Sequence, residues 1–386
     1  MSDTAAADSE LPLPLVLALP LVLAGPILRR LEARRLVFWL ATRAPVRVRL
    51  TLDTGEAHGA LPPVFEPEPG SAGCQTMHAG AGLHILLIDL ALPDDLPAHR
   101  WTGYELALQT LDTPEACWQD WRTWAPDLCY PGRSSPGFVF QPRVAALLHG
   151  SCRKPHHPQG DGLVVADRLL MHRVKALRKP APAAAAGNDD TAWPALLLLT
   201  GDQIYADDVA GPMLRAIHRL IEKLDMPVET LPGVGSAGVH TAADLPGHPD
   251  GYYRREKLLP SHKRQRALIE VLFGGVEKPV FTTDSAHNHL ITLAEVLAMY
   301  LLVWSPAAWP SLDLEPPDGL DAALLAKYRQ ERQRIEDFAA GLPAVRRVMA
   351  HVPVAMIFDD HDITDDWNLS RDWEEVAYGH AFSKRV

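Results

Sequence analysis

The sequence predicts an α/β protein in two parts, a β-sandwich at the N-terminus and then a sheet interleaved with helices. Three observations carry that expectation. Short runs of alternating apolar and polar residues, separated by turn signals, fill residues 21–138. Apolar runs that stop at polar side chains recur at residues 144–154, 196–208 and 352–368. Between the last two runs, from about residue 212 to 350, apolar residues recur at helical spacing. The expected domains are therefore a sandwich over residues 1–140 and a second domain over 141–386, with the helical insertion inside the latter.

Taken in order, residues 11–23 (LPLPLVLALPLVL) come first. Acids Asp3, Asp8 and Glu10 precede this run and Arg29 and Arg30 follow it, the reverse of a secretory signal. The run is also too short and too proline-rich to span a membrane. A buried or edge strand is expected, with no membrane span, and the cytoplasm is preferred over export or a periplasmic location. Residues 35–39 and 47–52 alternate as strands, Asp53-Thr54-Gly55 is a hairpin-type turn, and residues 84–92 form a further apolar run. Trp118, Trp121 and Trp124, three residues apart, suit a stripe in the core better than a carbohydrate-stacking ladder.

Helix is expected over 166–178, a surface loop over 180–190, and helices around Ile217, Leu220, Ile221 and Leu224 and over the charged segment 323–338. GVGSAG at 233–238 satisfies a dinucleotide-loop pattern by letter, but it follows Leu231-Pro232 instead of a strand and reads as a loop. His287-Asn288-His289 reads as a solvated turn in preference to a chelate.

A formal charge of −11 disfavours general binding to nucleic acid or anionic membranes, so no sequence-specific nucleic-acid partner is expected. The four cysteines have no paired spacing and no CxxC zinc pattern, so a disulfide framework is not expected in a chain this long, although Cys117 and Cys129 could pair.

The chemistry concentrates at the ends of the three apolar runs. In residues 196–208, LLLLTGDQIYADD, four leucines suit a strand covered on both faces, and Gly201 permits a sharp turn. Asp202 then projects where open α/β sheets place their sites. The first run stops at Gly150 and offers Cys152. The third empties into Asp359, Asp360, His361 and Asp362.

These segments, GSC, GDQIYAD and FDDHDITDDWN, together resemble the calcineurin-like metallophosphatases, and in wording their PhoD-like (alkaline phosphatase D-like) branch. The resemblance runs from about residue 143 to the end. Gly201-Asp202-Gln203-Ile204-Tyr205 answers the family's Gly-Asp-x-x-Asp motif with tyrosine last. Asp359-Asp360-His361-Asp362 answers Gly-Asn-His-Asp/Glu, matching at two of four places. The resemblance implies an αββα phosphatase domain acting on small phosphate mono- or diesters by metal-activated water.

It also implies a dinuclear centre. Asp202 would bridge the metals and Cys152 and Tyr205 would bind one of them, whose thiolate and phenolate favour Fe3+. Asp360 would face the other, with Ca2+ expected and Zn2+ or Mn2+ as alternatives. His361 would contact the phosphate or protonate the leaving group, Asp362 would orient His361, and Arg153 would clamp a phosphate oxygen. The family's later histidine motifs have no counterpart after His361: Gly379-His380-Ala381-Phe382 lacks the second His. The expectation is therefore an incomplete phosphatase domain, the N-terminal portion of a longer or truncated protein. The rival is a catalytically silent, interaction-type protein that keeps the fold. A single-metal calcium loop over 359–366 is a third reading, but it lacks the glycine and terminal Glu of an EF-hand.

Overall fold

The computed structural model describes residues 18–55, 62–113, 116–177, 192–232, 238–259, 286–369 and 371–379. The loop expected over 180–190 lies outside them, as do nearly all of GVGSAG, residues 260–285 of the insertion, and His380, Ala381 and Phe382. The molecule is mixed α/β.

The first part consists of two antiparallel sheets. One has the order β1 (Val22–Glu32), β2 (Arg35–Thr42), β6 (His84–Ala91), β5 (Cys74–His78). The other orders β4 (Val64–Phe65), β3 (Val46–Asp53), β7 (Trp101–Thr110) and β8 (Gln119–Asp120), and β9 (Gly137–Val139) also pairs with β7. Strict alternation in β3 sends Val46, Val48, Leu50 and Leu52 inward, where they join Phe38, Leu40, Leu86 and Ile88 from the opposite sheet in one core. The Phe38 and Tyr104 rings meet 4.9 Å apart between the layers. This is a sandwich-like arrangement.

Of the apolar run at 11–23, residues 18–23 are among those described: β1 begins at Val22 and forms the outer strand of its sheet, largely buried. Trp121 and Trp124 open the short helix α1 (Trp121–Trp124) and are buried in the sandwich core, while Arg49 lies 4.1 Å over Trp118. The stripe is therefore packing, as expected.

The second part is built on a three-stranded parallel sheet, order β10 (Leu147–Gly150), β11 (Leu196–Leu199), β12 (Val354–Met356). With it go helices α2 (Gly162–Ala176), α3 (Gly211–Lys223), α4 (Leu293–Trp304), α5 (Ala322–His351) and α6 (Arg371–Gly379). Asp161 caps α2, and Arg347 of α5 holds Asp167 of α2 at 2.9 Å, tying the two helices together.

Leu197, Leu199 and Val354 are buried on the helix side of the sheet. Leu196 and Leu198 are only partly covered on the other side, and Leu147 and Ile357 stand exposed there. The expectation of a strand covered on both faces is thus corrected for β11: one face is open.

The two parts are tied to one another at several points. The Tyr104 hydroxyl donates to Ala350 O at 3.1 Å, and Arg346 pairs with Asp127. At another, the β5–β6 turn caps α3, with Gly82 N donating to Leu224 O at 2.8 Å. A Cβ on Gly82 would lie 2.7 Å from that oxygen, so glycine is required for the approach. The insertion contains long helices, but residues 225–232 and 238–259 are mostly irregular, departing from the helical spacing expected from about residue 212. Among the described residues no helix is long and apolar enough to cross a membrane.

Candidate metal centre

Parallel pairing brings the carboxyl ends of β10, β11 and β12 side by side, so the three polar segments leave the sheet together. Backbone hydrogen bonds carry the register past the strands. Thr200 N donates to Gly150 O at 3.0 Å, Cys152 N to Gly201 O at 3.2 Å and Ile357 N to Leu199 O at 3.1 Å. At Gly201 φ is +131° and a Cβ would sit 2.5 Å from that of Asp359, so two loops can cross only over a glycine. Cys152 and Asp202 both adopt positive φ, 57° and 49°, a conformation that costs about 1–3 kcal/mol outside glycine and turns their side chains toward one another.

Asp202 lies at the centre. Its Oδ2 accepts from Cys152 Sγ at 3.2 Å, while Oδ1 is buried with no hydrogen-bond partner. Burial raises its pKa, because the loss of water outweighs the Cys152 hydrogen bond and the nearby His361, which pull it down. Ligand atoms of Asp202, Asp360 and His361 lie within 4.8 Å of one another, close enough to share one cation. A second acidic group, Asp360, Asp365 and Asp366, meets the same criterion. Tyr205 stacks on His361 with ring centroids 4.5 Å apart. Its phenol is pushed well above its ordinary pKa by burial and then by Asp202 and Cys152, so a phenolate here requires a cation beside it. Cys152, Asp202, Tyr205, Asp360 and His361 thus lie near one another beyond the strand ends.

Two expected roles are corrected. Asp362 does not orient His361. Its carboxylate accepts from Ile204 N at 2.9 Å, Gln203 N at 3.2 Å, Asp359 N at 3.0 Å and the Tyr300 hydroxyl at 2.9 Å, pinning the Asp202 loop to the Asp360 loop. The partner of His361 is Asp207, whose Oδ2 lies 2.8 Å from Nδ1. That hydrogen bond, against an opposing burial effect, lifts His361 to about 9 and leaves the ring positively charged at neutral pH.

Arg153 does not face the crevice as a phosphate clamp. Asp161 holds its guanidinium at 2.7 Å, Val303 O accepts at 2.5 Å, and the Trp304 and Phe338 rings lie 5.1 and 4.7 Å from it. It anchors the first loop to α2, α4 and α5.

Around the rim, Lys154 pairs with Asp208, and His156 stands 3.6 Å from the same carboxylate. Although burial raises Asp208, its hydrogen bonds with His156 and Lys154 hold it down at about 2. His287 is exposed and pairs with Glu256 at 3.2 Å, whereas His289 is buried, its Nδ1 2.6 Å from Leu290 O. The solvated turn expected there is instead a packed 3-10 turn, and Asn288 fastens it to Tyr253 N and Val209 O.

Sequence reading missed Tyr300 altogether, since nothing in LAMYLLVW on an apolar helix marks one tyrosine as a neighbour of Asp362. Asp207 carried a signal, a carboxylate five residues beyond Asp202, but no way of deciding what it faced. Compared with known protein families and with curated proteins, the chain matches none.

Proposed function

We propose that the chain forms the metal centre of a hydrolase acting on phosphate mono- or diesters. The observation that carries this reading is the buried, unpartnered Oδ1 of Asp202 at the meeting point of three strand ends, with Asp360 and His361 in reach. A buried carboxylate oxygen lacking a hydrogen bond is costly unless a cation completes it, and this donor set fits one. When bound, a metal pair supplies a nucleophile from water at neutral pH and neutralises charge on the phosphoryl group.

The protein's own groups do the rest. Asp202, Asp360, Cys152 and Tyr205 would hold the metals, with Fe3+ on the Cys152–Tyr205 side and Ca2+ on the Asp360 side. His361, kept charged by Asp207, would steady a phosphate oxygen and give a proton to the leaving group. Asp362 and Tyr300 keep the two ligand loops in register, which positions these donors before substrate arrives.

The test is metal analysis of the protein together with hydrolysis of p-nitrophenyl phosphate and bis(p-nitrophenyl) phosphate. Iron and a second metal should be found, the oxidised protein should absorb visible light through the Tyr205 phenolate, and Tyr205→Phe should remove the colour. A protein that binds no metal and cleaves neither ester after loading overturns the hydrolase reading in favour of a silent, interaction-type role. A colourless but active one moves the assignment to zinc, manganese or calcium.

A further inference from the structure

Helix α2 carries two apolar stripes where a helix lying on a sheet needs one. Leu163, Leu170 and Val174 are buried beneath it, but Val165 and Leu169, one turn apart, are 62% and 37% exposed. Those two side chains form one wall of a groove of about 980 Å³, with Leu148 and Leu199 of the sheet on the other side. Its volume stands at the upper end of the roughly 300–1,000 Å³ that small-molecule sites occupy, and far exceeds what a phosphate group fills. Cys152 closes one end, the same residue whose Sγ touches Asp202.

At that end the charged groups are engaged with one another, Arg153 with Asp161 and Lys154 with Asp208. Beyond these pairs the groove's surface is mainly apolar, from Leu148, Leu163, Val165, Leu169, Leu197 and Leu199, with His157, Gln159, Arg168, Arg334 and Asp337 on its walls. We propose that the groove beside Cys152 seats the alkyl or acyl substituent of a phosphate ester whose phosphate lies at the Asp202–Asp360–His361 end, an inference that rests on the hydrolase reading. Exposed Val165 and Leu169 are then explained as ligand contacts, and the substrate class is an amphiphilic ester instead of a small polar one.

Two non-hydrolysable probes, dodecylphosphonate below its micelle concentration and methylphosphonate, test this by calorimetry on the metal-loaded protein. The dodecyl probe should bind at least about tenfold more tightly, since burying even a few methylenes suffices for that ratio. Val165→Asp with Leu169→Asp, both at exposed helix positions that the fold tolerates, should abolish the difference and leave methylphosphonate unchanged. Val165→Trp, which fills the groove without adding charge, should do the same. Equal binding of the two probes, or a preference that survives both variants, overturns the groove assignment. Failure of the hydrolase reading looks different. If the probes are discriminated through the groove while no alkyl or nitrophenyl phosphate is cleaved, the ester assignment falls and an amphiphilic anion that is not a substrate takes its place.

Discussion

The sandwich and the parallel sheet solve opposite problems with similar residues. In the sandwich the strands run to eight residues or more, β3 and β6 alternate, and the inward side chains close one core. Polar outward residues make ordinary surface pairs, such as Arg35 with Asp89 at 2.6 Å. In the parallel sheet the strands are three or four residues long, apolar but for His149 of β10, and lead into acids, a thiol and an imidazole. One face of it packs on helices while the other stays partly open. The first region is stabilised by burial. The second uses a short buried platform to force charged groups together, leaving Asp202 with a raised pKa and an orphaned oxygen. Stability and chemistry are therefore separable by mutation.

The sharpest break is expected from Phe38→Ala. Phe38 is fully buried between the sandwich layers, and truncation should cost about 3–5 kcal/mol. Urea unfolding checks the loss, and any protein that remains folded should bind metal as before; a parallel fall in metal affinity would mean that the two regions are not separable.

Asp202→Asn tests the converse. Hydrolysis should fall by on the order of 10²–10³ while the unfolding midpoint holds or rises, because a desolvated charge has been removed. A large loss of stability would show instead that Asp202 is a structural residue.

Exchanging the two candidate partners of His361 sharpens the assignment inside the site. Asp207→Asn should lower activity by roughly 10–100-fold and bring the His361 pKa, followed by NMR, down from about 9 toward its ordinary value. Asp362→Asn should leave that titration in place and loosen the loops that Asp362 pins. The opposite pattern would restore Asp362 as the orienting group.

The pH response should also divide by region. Burial holds His351, beneath the sandwich, neutral and down at about 3, so its contribution to stability is whole above about 6.5 and lost as pH falls toward 3. His361 is raised, so its contribution is whole below about 6.5 and lost as pH rises through about 9. Unfolding midpoints of His351→Gln and His361→Gln against the parent, scanned from pH 4 to 10, should therefore diverge at opposite ends.

The smallest effect belongs to Trp118→Ala. Removal of its contact with Arg49 should cost roughly 0.5–1 kcal/mol and leave carbohydrate binding absent before and after.

What the sequence determined by itself was local and periodic. Alternation in residues 46–53 placed the sandwich strands, and the LLLL run with Gly201-Asp202 marked a strand end where a carboxylate emerges. The gathering of Cys152, Asp202, Tyr205, Asp360 and His361 was legible because parallel strands must present their carboxyl ends on the same side. Only the tertiary structure decided which neighbour each polar side chain takes. Asp362 adjoins His361 in the chain yet turns to the amides of Gln203 and Ile204, because those buried donors lack other acceptors. Asp207, 154 positions before His361, is the group that reaches its ring. Arg153 follows Cys152 directly, but Trp304 and Phe338 from distant helices fix its direction. The direction of a side chain depends on what packs around it, and that neighbourhood is assembled from segments whose contact no local pattern encodes.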